Sequence, residues 1–293
     1  MSEKGSYISK FSTFFDLTRF PRVVWKNRSL VLQFTVRNIT SRYRGSFLGL
    51  LWSLIQPLLM LVVYTFVFSV ALQARWGMHG VQTVASAHPK CEYAIIMFCG
   101  MAVYTIFAES VTMSVTSVTG NVNLVKKVIF PLEILPLAQV ISSTILSLLW
   151  FLLLLLGVVL VFGKLSLTIL LLPLILLPLG CLSLGISYFV ASVGVFVRDM
   201  QHIVGVIMQV LLFMTPIFYP VENLPEQYRW PLKLNPLGYL VEACRRILIF
   251  GKTPGDIYLG WVKLGIVAAF GLLVLHLGFF WFCKTKKGFA DVL

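Results

Sequence analysis

Six apolar runs divide this 293-residue chain: Phe47 to Leu72, Tyr93 to Val118, Leu135 to Phe162, Leu165 to Val197, Ile203 to Tyr219 and Leu259 to Cys283. A hydrocarbon core of about 30 Å takes about 20 helical residues to cross, and longer runs tilt or kink to fit. Lipid offers the backbone no hydrogen-bond partner, so such runs cross as helices. The expected fold is all-α, a polytopic membrane protein with six transmembrane helices. Six crossings return both termini to one side. With the N-terminus inside, the inner segments hold 15 Lys and Arg and the outer segments hold 8, five of these in one long loop after Tyr219. Cytoplasmic loops collect positive charge, and long loops count least in that rule, so both termini are expected in the cytoplasm.

Composition supports the same class. Hydrophobic residues make up 58% and charged residues 12%, with a mean hydropathy of +0.90, which excludes a soluble globular domain. The net charge of +13 flanks the apolar runs. There it reads as topology and attraction to anionic inner-leaflet lipid, not as a nucleic-acid surface. The first 29 residues lack the apolar core of a cleavable signal peptide, so the first span is expected to serve as its own insertion signal. The cysteines, Cys91, Cys99, Cys181, Cys244 and Cys283, show no CxxC spacing, and no metal site is expected. Cys91 and Cys244 fall on the outer side, where a disulfide is chemically permitted. Sequence gives no distance between them, and two unpaired thiols are the expectation.

Three regions follow: a cytoplasmic N-terminal segment (1–46), a six-span domain (47–283) and a cytoplasmic tail (284–293). In the first, Leu32, Val36, Ile39 and Tyr43 recur at i, i+4, i+7 and i+11, with Gln33, Arg37, Ser41 and Arg44 opposite. This period predicts an interfacial amphipathic helix before span 1, and a helix packed on a partner protein has the same period. Span 1 opens with Gly45, Gly49 and Ser53, a small face that lets another backbone approach, and Gln56-Pro57 invites a kink. Span 2 embeds Glu109, whose charge is costly in lipid. It marks either a polar pathway or a hydrogen-bonded structural position. Pro173, Pro178 and Gly180 predict a kinked span 4. Beyond Pro220, apolar stretches too short to span alternate with prolines, which predicts short re-entrant helices between spans 5 and 6.

Catalytic chemistry finds no cluster. Glu222, Glu226 and Glu242 share a loop with no His or paired Asp. Gly251-Lys252-Thr253 imitates the end of a P-loop, but Arg246 stands where its first Gly belongs. The chain is therefore not expected to be an enzyme or to bind ATP by that route, with a membrane-embedded glycolipid enzyme kept as a lesser alternative. A single embedded carboxylate and no inverted repeat argue against a self-powered secondary transporter.

Three segments carry a resemblance. Arg42-Tyr43-Arg44-Gly45-Ser46, leading to Leu50-Leu51-Trp52-Ser53 and Gln56-Pro57, resembles the entry to the first span of ABC-2 type export permeases. The inner loop from Asn121 to Pro131 and the stretch Thr215-Pro216-Ile217-Phe218-Tyr219-Pro220, followed by Asn235-Pro236, are similar to the polysaccharide-exporting branch of that family. The resemblance implies a permease subunit for a lipid-linked surface polysaccharide, most like O-antigen exporters. Capsule, teichoic-acid, drug and lipid exporters are the alternatives. It further implies a homodimer in the bacterial inner membrane working with two soluble ATPase subunits. ATP and Mg would be bound by those partners, and this chain would carry no cofactor. The family's ATPase-docking loop maps to Asn121, Asn123, Lys126, Lys127 and Glu133. A glycan pathway would suit aromatic walls, whose faces accept the C–H side of sugars. Tyr64, Phe68, Tyr104, Phe107, Phe213 and Phe218, with Glu109, are the candidate lining.

Overall fold

The computed structural model describes residues 19–71, 89–126, 130–163, 165–256 and 259–293. Among them there is no strand. In chain order the helices are α1 (Arg19–Lys26), α2 (Arg28–Arg42), α3 (Trp52–Tyr64, continued by a π-helical segment Thr65–Ala71), α4 (Pro89–Ser114), α5 (Val122–Lys126), α6 (Ile134–Phe162), α7 (Leu172–Phe196), α8 (Met200–Met214), α9 (Arg229–Leu234), α10 (Pro236–Leu248), α11 (Gly260–Thr285) and α12 (Phe289–Val292).

Five helical stretches are long and apolar enough to cross a membrane: Gly49–Phe68, Cys91–Ser114, Ile134–Phe162, Leu167–Phe196 and Gly260–Val292. The protein is thus a helical, multi-pass membrane protein. The fifth apolar run differs from expectation, because α8 has only 15 residues. At 1.5 Å per residue that is about 22 Å, short of a hydrocarbon core. Pro216 stops it, since a proline offers no N–H to continue the ladder.

α4 is the central rod. It is 83% buried over its apolar window, whereas α3 is only 11% buried and turns Leu59, Val62, Val63 and Phe66 outward. α6, α7, α8 and α10 pack around α4, with Phe98 stacked on Trp150 at 5.4 Å. Between helices the contacts are small: the Ser187 hydroxyl donates to the Ser110 carbonyl at 3.1 Å, and a Cβ on Gly194 would meet the Val115 carbonyl at 2.6 Å. Without a hydrophobic driving force between apolar helices, close backbone approach through small residues is what holds them.

The largest helix interface joins α7 and α11. Gly271 faces the Pro178 carbonyl, Gly278 faces the Gly185 carbonyl, and the Ser192 and Thr285 hydroxyls share a 2.7 Å hydrogen bond. Each contact lies seven residues beyond the last on both helices, so the two run parallel in a coiled-coil register. Residues 197–259 must therefore carry the chain from one end of this pair to the other. One end of the bundle gathers α2, α5, the α7–α8 link and the C-terminus. The opposite end gathers the starts of α4, α7 and α11 with α9 and α10.

One further expectation changes, and span 4 gains detail. Gly45 and Gly49 form no helical face; they precede α3 with φ of +82° and +51°, conformations that suit glycine, and turn the chain from α2 into α3. Span 4 resolves into a 3-10 turn, Leu167–Leu171, and then α7, with Pro173 at its first turn and Pro178 inside.

A methyl group at Gly278 would collide with backbone of α7, which cannot yield as a side chain would. Gly278→Ala should lower the thermal unfolding midpoint of the detergent-purified protein, with overpacking costing about 1–3 kcal/mol. Gly265 lies on the same helix with open space around it, so Gly265→Ala should be neutral or stabilise by up to about 1 kcal/mol. Equal midpoints for the two variants would refute the packing assignment.

Candidate functional site

At the end holding α9 and α10, the backbone after α8 is open. A continuing helix would bond the Pro216 carbonyl to the N–H of residue 220, which is Pro220 and has none. Side chains replace the missing ladder. The Tyr219 hydroxyl donates to the Phe213 carbonyl at 2.6 Å, and Asn235 Nδ2 donates to that of Met214 at 3.3 Å. The Ile217 N–H reaches the Thr215 carbonyl at 2.7 Å. Arg245 Nη1 and Nη2 donate to the Pro216 and Ile217 carbonyls, each at 2.8 Å. The Tyr93 hydroxyl takes the Phe218 carbonyl at 2.7 Å. Six successive carbonyls are thereby satisfied, which irregular backbone in an apolar setting demands.

Arg245 is the centre of this arrangement and is only 1% exposed. Its Nε also donates to the Ile96 carbonyl of α4 at 3.0 Å. Gly100, one turn along, leaves room for the guanidinium, since a Cβ there would lie 2.7 Å from Nη2. Asn235 serves two helices at once. Its Oδ1 caps α10 by accepting from the Leu237 N–H at 3.0 Å, with Pro236 at the first helical position. Its Nδ2 holds the end of α8 and Thr215 Oγ1, the latter at 3.1 Å.

Beside this break the structure brings four of the candidate lining residues together. Phe218 stacks on Phe68 at 4.8 Å, meets Tyr64 at 5.3 Å and lies 5.7 Å from Phe213. Phe213 is exposed and Phe218 is buried. An apolar groove of about 480 Å³ continues the surface along Val206, Ile207, Val210 and Met214 to Pro231 and Leu234. Tyr104 and Phe107 are placed otherwise. Both are buried in the helix packing around α4, and the Tyr104 hydroxyl bonds to the Met208 carbonyl of α8.

Glu109 faces the other end of the bundle. Arg42 of α2 grips it in a fork, Nη1 to Oε2 and Nη2 to Oε1, each at 2.9 Å. Burial pulls the Arg42 guanidinium down, but the hydrogen bond and charge of Glu109 outweigh it and hold the group above its ordinary value. Arg37 of the same helix donates to Asn121 Oδ1 at 2.8 Å, and Phe34 packs on Phe130 at 5.1 Å. α2 thus clasps the foot of α4 and the loop beyond it.

The expected stripe of α2 does not face the bundle. The helix docks through Val31 and Thr35, one position earlier, which leaves Leu32 and Val36 exposed, Ile39 and Tyr43 half-buried, and Arg44 exposed. Asn123 and Lys126 are exposed on α5, whereas Lys127 lies outside the described residues. Glu133, expected on the docking face, is turned inward; its carboxylate pairs with Lys286 and its carbonyl accepts from the Tyr188 hydroxyl at 2.9 Å. Cys91 is exposed and unpaired, and Cys244 is buried and unpaired. Sequence reasoning missed Arg245, Tyr93, Asn235 and Lys286. One signal was available for Arg245, a basic residue in an apolar helix on the side where the charge rule expects few.

Arg245→Lys keeps the charge but gathers its three donors on one nitrogen, which cannot span the separate sites that Nε, Nη1 and Nη2 reach. Each buried carbonyl left unsatisfied costs about 1–3 kcal/mol. The variant should show a clearly lowered unfolding midpoint, and Tyr93→Phe a smaller drop. An Arg245→Lys midpoint equal to wild type would contradict the assignment.

A sequence profile described as ABC-2 type transporter matches residues 29–249, which contain both ends of this arrangement. The chain is 26% identical over 266 residues to the O-antigen export system permease protein RfbA of Klebsiella pneumoniae, covering 90% of this chain and 95% of that one. It is 28% identical over 244 residues to the protein of the same name from Myxococcus xanthus, covering 81% and 87%. It is also 26% identical over 245 residues to the polysialic acid transport protein KpsM of Escherichia coli, covering 83% and 88%. With a family match from α2 to the end of α10, over the clasped foot of α4 and the open backbone held by Arg245, this chain belongs to the ABC-2 type transporter family.

Proposed function

We propose that this chain is the permease subunit of an ABC transporter that exports a lipid-linked surface polysaccharide of O-antigen type. The observation that carries the reading is similarity to O-antigen export permeases over nine tenths of the chain. Capsule export is the second reading, favoured by the polysialic acid transport relative. The chain has no P-loop of its own, so ATP and Mg belong to a separate ATPase subunit.

The end with α2, α5 and the C-terminus is the cytoplasmic one on this reading. It carries Arg22, Lys26, Arg28, Lys126, Arg198 and Lys284, as expected of segments facing anionic lipid in the bacterial inner membrane. The exposed Leu32 and Val36 of α2 suit the membrane interface. The parallel register of α7 and α11 supports a sixth crossing. α8 and the open backbone after it traverse the bilayer together, and α9 and α10 fold back as re-entrant helices at the outer side. Two copies would face each other across the exposed surface of α3 and α8, where Tyr64, Phe68 and Phe213, backed by the buried Phe218, suit the wall of a glycan path.

Asn123 and Lys126 form the outward face of α5 and suit an ATPase contact. The Arg42–Glu109 fork would carry motion of α2 and α5 into α4. Lys126→Glu should reduce co-purification of the ATPase without reducing insertion. Glu109→Gln should keep the ATPase bound but lower glycan-stimulated ATP hydrolysis by at least about fivefold, the lower range of coupling energies. Stimulation by a lipophilic drug and not by a lipid-linked glycan would overturn the substrate assignment. Normal hydrolysis by a well-inserted Glu109→Gln protein would return Glu109 to a purely structural role.

A further inference from the structure

The last residues of the chain, expected as a cytoplasmic tail, fold back onto the bundle. Phe289 is fully buried, with its ring 5.8 Å from that of Phe196 and 5.4 Å from that of Phe282. Lys286 pairs with the buried carboxylate of Glu133, just before α6. α12 contacts α5, and Leu124, Val125 and Leu293 pack against the one apolar cluster that contains Phe289.

α5 has five residues. A helix of about one turn does not persist alone, because nucleation costs more than so few hydrogen bonds return. Its shape is therefore imposed by what it rests on. On one side that is Arg37 through Asn121; beneath it is the cluster closed by Phe289. We propose that the segment from Lys286 to Leu293 is a positioning element that holds α5 in the form an ATPase subunit recognises. This rests on the reading of α5 as the docking turn. Lys286 and Phe289 act through α5 and need not touch the partner themselves.

The test uses the full-length purified permease, alone and with its ATPase. Amide hydrogen exchange over residues 122–126 reports the turn itself, and retention of the ATPase on immobilised permease reports docking. Phe289→Ala opens a cavity beneath α5, so exchange there should rise by at least about tenfold while the long helices remain protected. ATPase retention should fall with it. Lys126→Glu should lower retention with exchange unchanged. Lys286→Glu should act like Phe289→Ala, and the charge-swapped Glu133→Lys, Lys286→Glu protein should recover. Unchanged α5 exchange in Phe289→Ala, or faster exchange with full retention, overturns the positioning role alone. Full retention by both Lys126→Glu and Phe289→Ala overturns the docking reading as well.

Discussion

A backbone that leaves helical geometry among apolar neighbours must find a partner for every carbonyl, and this constraint governs one whole end of the protein. α8 breaks because Pro216 and Pro220 remove the N–H groups that would continue it. The freed carbonyls then recruit Tyr219, Asn235, Arg245 and Tyr93 from four places in the sequence. Arg245 suits the central position because its planar fork presents several donors in fixed directions, and its charge is spread over carbonyl dipoles. Glu242 adds an ion pair to Arg245 at 3.8 Å and pairs more closely with Arg246, at 3.1 Å. Removing the fork would leave the Pro216 and Ile217 carbonyls without a donor and untie them from the Ile96 carbonyl of α4.

The same central helix reaches the other end. Ile96 touches Arg245 and Glu109 is held by Arg42; they lie thirteen helical steps apart, about 20 Å of rigid rod. The foot of α4 is bound to α2, α2 to Asn121, and α5 to the C-terminal cluster. On the proposed function, a partner that moves α5 shifts a connected set of ion pairs and packed rings, and α4 conveys the shift to the broken backbone. Rigid elements joined at two ends by specific contacts are the usual carriers of such motion.

Much of this was legible in the sequence. Apolar run length located the five long helices, and the period of Leu32 and Val36 located α2. Motifs around Thr215-Pro216 and Asn235-Pro236 carried the family resemblance but revealed neither the break nor the cap. What stayed hidden was pairing between distant residues. The period of α2 shows that one face is apolar, but it does not say that the bundle takes the neighbouring line of Val31, Thr35 and Arg42. The embedded Glu109 announced a partner, yet its partner lies 67 residues away. A six-run count also treated the fifth run as a continuous helix. Pro216 ends that helix early, and the parallel register of α7 with α11 lies between residues too distant for run length to relate. Aromatic composition could not separate Tyr104 and Phe107, which pack inside, from Phe213, which faces out.

The most direct measurement is flux. The permease and its ATPase would be reconstituted in lipid vesicles loaded with a lipid-linked glycan on the ATPase side, and the glycan appearing on the opposite side would be quantified. The account predicts appearance only when both subunits, ATP and Mg are present, and loss of it when the ATPase is omitted. Glycan movement that persists without the ATPase and follows an imposed proton gradient would contradict it, as would intact ATP hydrolysis with no glycan crossing.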